Sequence, residues 1–335
     1  KVLNSSRPLE KSAGRKYHML FAWQGAQTEQ FADKAVSPAE NLYNLMPASI
    51  RNAGAYNGKN YSLPLLLDNV ETSYYRTYRT KQKLEVPEIY EQFEPYLTLI
   101  KTDAQFPLFC AGKNNDILLD LVSALTESTT GTSGYTALVN QIKKNGTFTG
   151  YADFEIARTV KGTPITLRSV LDIIKQWQKN GLIHPSWYDA SEQDVRDFMR
   201  DHTLGTVCMP LSEHRKGDLH LLRYYDTNRF PPSIFINRHS LIAPCICVVT
   251  FRTTAGETVV QNRLLSAEIQ EQLSNASMLA PVTSRCPAYD RQADDVRYWA
   301  ASCSGGPAAP IGLACFTDTV KEASFAEDIR SYIKQ

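Results

Sequence analysis

The chain has 335 residues, with 36 lysines and arginines against 35 aspartates and glutamates, so its net charge is +1. A chain of that length is too long for one compact core, which favours two domains. The balanced charge argues against a nucleic-acid partner. The longest apolar run, Leu241 to Val249, contains Pro244 and is far shorter than the ~20 residues of a membrane helix.

The first predicted elements are short apolar strands separated by polar segments. Met19 to Trp23 is typical of a buried strand, and a polar helical stretch, Thr28 to Lys34, follows it. The pair Asn57-Gly58 predicts a tight turn. Asn60 to Leu67 then predicts another strand.

The middle of the chain contains amphipathic helices. Apolar spacing predicts one helix over Glu88 to Lys101 and another over Leu167 to Trp177, with Thr166 as its N-cap. Ser191 is expected to cap a third helix, and Thr203 to Leu211 is expected to be a strand.

The same alternation continues to the last residues. Ser266 is expected to open a helix that ends near Leu279, and the capping box Ser324-x-x-Glu327 predicts the start of the final helix. Residues 126–136 are rich in Ser, Thr and Gly, and residues 302–312 in Gly, Pro and Ala, so both are expected to be loops. Strands and helices that alternate throughout indicate an α/β fold.

A search for catalytic chemistry gives nothing. The phosphate-loop, dinucleotide, nucleophile-elbow, His-Glu-x-x-His and Cys-x-x-Cys patterns are all absent from the sequence. The six histidines have no common metal spacing. We therefore predict no catalytic residue, no cofactor and no metal, and do not expect an enzyme. The seven cysteines are most simply buried thiols, although a Cys286–Cys303 or Cys303–Cys315 bridge stays open.

One segment is more specific. Residues 56–76, which contain Asn-Gly-Lys, a strand with Pro64 and then Tyr74-Tyr75-Arg76, resemble the corresponding segment of maltose-binding-like, sugar-binding components of ABC importers. Further weaker matches follow the family's order along the chain. They are Met19–Trp23, Pro87–Phe93, Gln178–Pro185, Phe198–Met209, Leu264–Gln270 and Pro281.

The resemblance implies a periplasmic-binding-protein fold: two α/β lobes joined by crossing strands, with ligand in the cleft and closure by a hinge. It implies an N-terminal lobe of residues 1–67 plus 243–290 and a C-terminal lobe of residues 68–242 plus 291–335. The family normally has a βαβ unit before the Trp23 strand, whereas 18 residues precede Met19 here. Two expectations stay open: either the N-terminal lobe is shortened, or the chain was trimmed before this strand.

The resemblance also implies where a ligand would bind. Trp23 matches the family's ligand-facing tryptophan, whose flat ring packs on a sugar, and Asp68 matches its cleft carboxylate, which accepts hydroxyl hydrogen bonds. The other candidates are polar residues beside Trp23, in loops at strand ends or near the second crossing. The full set of expected ligand contacts is Trp23, Gln24, Asp68, Asn114, Asn115, Asp116, Glu213, His214 and Arg238.

The implied function is the extracytoplasmic solute-binding component of a bacterial ABC importer, which binds a carbohydrate and presents it to a membrane permease. The implied location is periplasmic or otherwise extracytoplasmic, with membrane attachment only through a lipid anchor outside this sequence. Two alternatives remain. The first is a surface lipoprotein with a degenerate cleft, favoured because Ser212-Glu213-His214 and residues 305–312 lack two expected aromatics. The second is a cleft enzyme on the same scaffold.

Overall fold

The computed structural model describes residues 17–216, 221, 223–252, 254–287 and 291–335. Strands and helices alternate along these residues, which confirms the predicted α/β class. The strands are β1 (Met19–Trp23), β2 (Ala55–Tyr56), β3 (Lys59–Asn60), β4 (Ser62–Leu67), β5 (Val70–Tyr75), β6 (Phe106–Phe109), β7 (Ala157–Arg158), β8 (Pro164–Ile165), β9 (Leu204–Pro210), β10 (Tyr225–Arg229), β11 (Ser240–Ile242), β12 (Cys245–Thr250), β13 (Ala280–Pro281) and β14 (Gly306–Ala308).

The helices include several single-turn segments. They are α1 (Ala26–Glu29), α2 (Glu40–Tyr43), α3 (Arg76–Lys81), α4 (Tyr90–Ile100), α5 (Asn115–Lys144), α6 (Phe148–Ala152), α7 (Leu167–Lys179), α8 (Glu192–Arg200), α9 (Leu211–Lys216), α10 (Ala255–Leu264), α11 (Ala267–Ser277), α12 (Arg291–Ser302), α13 (Ile311–Cys315) and α14 (Thr319–Lys334). Two 3-10 helices span Ile50–Gly54 and Trp187–Asp189. Within the described ranges, no helix is both long and apolar enough to cross a membrane.

The chain divides into two compact units, each discontinuous in sequence. The first unit contains the described residues up to Asn69 together with Ser240–Lys321, and the second contains Val70–His239 and Glu322–Gln335. The prediction placed residues 291–335 in the second lobe, so its assignment of 291–321 is wrong. These residues belong to the first unit because β14 pairs in parallel with β11 and because Arg297 of α12 donates to the Thr283 carbonyl.

The sheet of the first unit has the strand order β1-β12-β4-β13. β12 is antiparallel to both β1 and β4, so β1 and β4 run in the same direction on either side of it. β4 is buried along its whole length. The β12–β4 register shifts between Ile246 and Cys247, next to Pro64. Proline has no N–H to donate, so a local irregularity is expected there.

The sheet of the second unit has the strand order β10-β5-β9-β6. β5 is antiparallel to both neighbours, and β9 is parallel to β6. All residues of β5 are buried. This position makes β5 a rigid support for the polar side chains that it carries.

Residues 126–136, predicted as a surface loop, are helical and mostly buried within α5. The hydroxyls of Thr126, Thr129 and Thr130 donate to carbonyls four residues earlier, so they satisfy themselves on their own helix. α5 is interrupted at Gly131, whose φ is 68° and ψ is −175°. Composition suggested a loop because Ser, Thr and Gly are loop formers, but here local hydrogen bonds allow them to be buried in a helix.

Most predicted helix starts are confirmed. Thr166 and Ser191 form capping boxes, and the Ser266 hydroxyl accepts the N–H of Ile269. The Ser324 cap is wrong, because α14 begins at Thr319 and the Asp318 carboxylate accepts the N–H of Val320 at 2.8 Å.

The prediction of a loop over residues 302–312 holds only in part, because β14 lies inside it and α13 begins at Ile311.

Cys245 and Cys247 are buried thiols. Cys286 is also a thiol, which excludes a Cys286–Cys303 bridge. The expectation of a shortened N-terminal lobe concerns residues before Tyr17, which lie outside the described residues.

Candidate functional site

Three of the predicted ligand contacts meet at one edge of the first unit's sheet. Trp23, the last residue of β1, pairs with Ile246, and the Gln24 N–H donates to the Cys245 carbonyl at 2.7 Å. On the other side of β12, the Asp68 N–H donates to the Pro244 carbonyl at 2.9 Å. Trp23 and Asp68 therefore flank the start of β12, about 10 Å apart across two strand spacings. This edge, defined by Trp23, Gln24 and Asp68, is termed the Trp23 edge.

The groups at the Trp23 edge suit an uncharged polar ligand. The Trp23 side chain is half-buried, so part of its ring remains accessible. Asp68 is 4% exposed, and its Oδ1 accepts the N–H of Asn69 at 2.8 Å. That bond fixes the backbone just after β4. This end of the sheet therefore combines a partly exposed indole, which offers a flat apolar surface, with a buried carboxylate two strands away, which can accept hydrogen bonds.

Two amide side chains of the first unit, Gln24 and Asn69, have buried polar atoms without a partner in the described part of the chain. The Gln24 Nε2 donates to the Pro307 carbonyl at 3.3 Å, while its buried Oε1 has no partner within the described part of the chain. Asn69 is 0% exposed, and neither its Oδ1 nor its Nδ2 has a partner among the described residues. The sequence does not predict that this amide is buried without a partner.

In the second unit, Asn114 and Asn115 are used internally. Asn114 is the N-cap of α5, where its Oδ1 accepts the N–H of Asp116 at 2.9 Å, and its Nδ2 donates to Glu192. The Asn115 Oδ1 accepts from the Arg330 guanidinium at 2.6 Å. Both side chains therefore stabilise the start of α5.

Asp116 lies in an acidic cluster. Its carboxyl group shares a hydrogen bond with Glu322, and Glu213 and Glu192 add negative charge. Loss of hydration, and then the nearby Asp116 carboxylate, raises the pKa of Glu322 to about 7. The pKa of Asp116 is raised as well, first by reduced hydration. Within the described ranges, no group of three or more His, Cys, Asp or Glu side chains is arranged to hold a metal ion.

Glu213 and His214 lie on helix α9, not in the loop that was predicted. The His214 Nδ1 is 2.7 Å from Glu71 Oε1, and both side chains are 0% exposed. The ring is thus enclosed in the second unit and presents no surface to a ligand. The Glu213 carboxylate remains partly accessible, at 18% exposure, and pairs with Lys216.

Ser73, His214 and Glu71 have the residue types of a nucleophile, base and orienting acid. Their geometry differs from that of a catalytic triad. The Ser73 Oγ lies 3.5 Å from Nδ1 and 3.4 Å from Nε2, so it is not directed at one ring nitrogen. All three side chains are buried on or against β5. A hydrolytic serine needs a short bond to one nitrogen and access to substrate, so these residues form a buried polar network.

Arg238 lies far from the candidate ligand contacts Asn114–Asp116 of the same unit. Its side chain is exposed, and its carbonyl accepts from the N–H of Thr132 at 3.0 Å, just after the break in α5. Asn115 stands at the start of α5, and Gly131, at the break, follows 16 residues later. At about 1.5 Å per residue this is about 24 Å. The structure therefore separates Arg238 from Asn114–Asp116.

Comparisons with known proteins give structural likeness alone, because no family model and no curated protein matches the chain. The bacterial solute receptor AcbH, described as preferring β-D-galactopyranose, superposes with a TM-score of 0.76 at 14% identity, over 95% of this chain and 80% of that one. A Bacillus licheniformis sugar transporter protein in complex with stachyose gives 0.62 at 13% identity, over 97% and 86%. Maltose-bound MalE3 of T. maritima gives 0.60 at 11%, over 96% and 84%. The chain therefore has the two-lobed α/β fold of the solute-binding proteins, as its sequence resemblance implied.

Proposed function

We propose that the chain is the extracytoplasmic solute-binding component of an ABC importer and binds a carbohydrate at the Trp23 edge. The structural neighbours are binding proteins whose descriptions name galactopyranose, stachyose and maltose. In this proposal the chain performs no chemistry: it binds the sugar and delivers it to a membrane permease. A periplasmic or lipid-anchored position outside the cytoplasm follows from that role.

The observation that carries the proposal is the convergence of Trp23, Gln24 and Asp68 beside one end of β12. A pyranose has an apolar C–H face and a rim of hydroxyls. An indole ring packs against the first, and carboxylate and amide oxygens accept hydrogen bonds from the second. The same arrangement suits neither a phosphate, which needs cationic or N–H donors, nor a large apolar ligand.

The second candidate function is that of a surface lipoprotein whose binding site has degenerated and which acts in interactions. The second unit supports it, because three of its predicted contacts are occupied internally: Asn114 by Glu192, Asn115 by Arg330 and His214 by Glu71. In that case the first unit would keep a remnant of the site without enough contacts to hold a sugar.

The two functions are separated by a thermal-shift screen of the purified chain against mono-, di- and oligosaccharides, polyols and amino acids. A ligand at 100 times its Kd adds about 2.7 kcal/mol of stability, which for a unit of this size raises Tm by roughly 5–10 °C. Import predicts a shift specific to one class of sugar that Trp23→Ala abolishes. A folded chain that shows no shift with any compound would support the degenerate site instead.

A further inference from the structure

The sequence contains the dipeptide Asn-Gly three times. The copies are Asn57-Gly58, Asn145-Gly146 and Asn180-Gly181. This dipeptide is chemically labile, because the backbone nitrogen after an asparagine can attack the carbon of the side-chain amide, and glycine has no Cβ to hinder the attack. The attack requires an N–H that is not held by an acceptor and a backbone that can rotate to bring the two groups together. The three copies differ in both respects.

In the copy at Asn180, hydrogen bonds hold both reacting groups. The Gly181 N–H donates to the Gln178 carbonyl at 3.0 Å, and Asn180 Oδ1 accepts from Gln176 Nε2 at 2.9 Å. Asn180 is also the C-cap of α7, and its own carbonyl accepts from Lys101 Nζ at 2.6 Å. Several hydrogen bonds must therefore break before the Gly181 nitrogen can reach the side chain.

The copy at Asn57 forms the tight turn between β2 and β3. The φ angles of Asn57 and Gly58 are 50° and 76°, and two positive values in succession are typical of a two-residue hairpin turn. Tyr56 and Lys59 pair across this turn. Rotation about the backbone between Asn57 and Gly58 would break that pair, so the hairpin opposes the reaction.

The copy at Asn145 has neither restraint. Asn145 is the C-cap of α5, where its N–H donates to the Gln141 carbonyl at 2.9 Å and its backbone is extended, with φ −119° and ψ 120°. Within the described ranges, neither its side-chain amide nor the Gly146 N–H has a hydrogen-bond partner. Gly146 is exposed, and a Cβ there would meet nothing within 4 Å. The attacking nitrogen is therefore unbound and has open space around it.

We propose that Asn145 is a modification site, at which the Gly146 nitrogen displaces the side-chain amide and the folded chain accumulates aspartate and isoaspartate. The Gly146 nitrogen forms a bond to Asn145 Cγ as the bond from Cγ to Nδ2 breaks. Nδ2 leaves as ammonia, and the proton of the Gly146 N–H passes to it through solvent. One water molecule then opens the cyclic imide. Breaking the ring bond at Cγ gives aspartate, and breaking the ring bond at the backbone carbonyl carbon gives isoaspartate.

The test uses the full chain, incubated in mildly alkaline buffer and sampled over time. After proteolysis, the peptides that contain Asn57, Asn145 and Asn180 are compared by mass spectrometry, and their aspartate and isoaspartate forms are separated by chromatography. The same chain in guanidinium chloride is the control for sequence, because unfolding removes the restraints on all copies of the dipeptide. Gly146→Ala tests the attacking nitrogen, since its Cβ crowds that atom and yet meets nothing else within 4 Å.

In the folded chain, Asn145 should convert at least about tenfold faster than Asn180, because hydrogen bonds at both reacting groups of Asn180 must first break. Asn57 should also convert more slowly than Asn145. In guanidinium chloride the three rates should become similar. Gly146→Ala should slow conversion at Asn145 several-fold in the folded chain and leave the other two sites unchanged.

The proposal is overturned if Asn57 or Asn180 converts as fast as Asn145 in the folded chain, because the backbone restraints would then not control the reaction. It is also overturned if Asn145 converts in guanidinium chloride but not in the folded chain. An unchanged rate at Asn145 in Gly146→Ala would show that water, and not the Gly146 nitrogen, attacks the amide. None of these results depends on whether the chain binds a sugar.

Discussion

The break in α5 at Gly131 makes Gly131→Ala a severe substitution. A φ of 68° combined with a ψ of −175° lies in a region occupied essentially by glycine, and a residue with a Cβ held there costs about 1–3 kcal/mol. The added Cβ would also lie 2.2 Å from Ile236 Cγ2 and 2.8 Å from the Arg238 carbonyl. Such overpacking costs about 1–3 kcal/mol more, so the free energy of unfolding should fall by roughly 2–6 kcal/mol.

The assay is urea unfolding followed by circular dichroism, with Gly146→Ala as the control. A Cβ at Gly146 would meet nothing within 4 Å, so this variant should lie within about 0.5 kcal/mol of the wild type. Gly131→Ala should show a clearly lower urea midpoint. If the two variants have the same midpoint, residues 126–136 do not form the packed, interrupted helix, and the loop expected from their composition would be correct.

Two other substitutions test buried polar groups of the second unit. Because the pKa of Glu322 is raised to about 7 in the folded chain, the native state holds a proton that the unfolded state loses near pH 4.5, so stability should fall as pH rises between these values. Glu322→Gln should remove that fall. Its stability should equal that of the wild type at pH 4 and exceed it by about 1–3 kcal/mol at pH 8. If the Tm of both proteins changes with pH in the same way, the Asp116–Glu322 pairing is contradicted. Glu71→Leu leaves the His214 Nδ1 buried without its acceptor and should lower the free energy of unfolding in urea by about 1–3 kcal/mol. The control is Glu85→Leu, at a side chain that is 98% exposed, and it should change this free energy very little. Equal urea midpoints would refute a structural role for the buried network of Ser73, His214 and Glu71.

Local sequence signals predicted the regular elements well where chemistry at a helix end is specific. Thr166 and Ser191 were correctly identified as N-caps because a hydroxyl followed by a helix-compatible stretch satisfies the first N–H groups. The same pattern failed at Ser324, where Asp318 provides an earlier start. Two competing caps on one amphipathic run cannot be ranked without knowing which turn packs.

Burial and long-range strand pairing were the features predicted least well from the sequence. Thr126 and its hydroxyl-bearing neighbours have loop-forming composition, and only their burial in the second unit selects the helix. Residues 291–321 were placed in the wrong lobe because the parallel pairing of β11 with β14 joins segments distant in sequence. Such non-local pairings leave no periodic signal in either segment.

The candidate site likewise contains residues that local strand positions predict and residues that only tertiary packing determines. Trp23, Gln24 and Asp68 meet at one edge because each follows or ends a strand whose position the resemblance supplied. His214 was expected at a surface, and its burial against Glu71 depends on the tertiary packing of α9 on β5. The unpartnered amide of Asn69 could not be predicted either, because its neighbours and not its own residue type determine its contacts.

Sugar binding at the Trp23 edge can be tested by a calorimetric titration of the wild type, Trp23→Ala and Trp23→Phe with the sugar that gives the largest thermal shift. Sugar binding at the Trp23 edge predicts one-to-one binding to the wild type and a Kd raised at least about tenfold in Trp23→Ala, because the stacking surface is lost. Trp23→Phe should give an intermediate Kd, because a smaller ring remains. Equal affinity in all three proteins would place the ligand away from the Trp23 edge and contradict the proposed binding site.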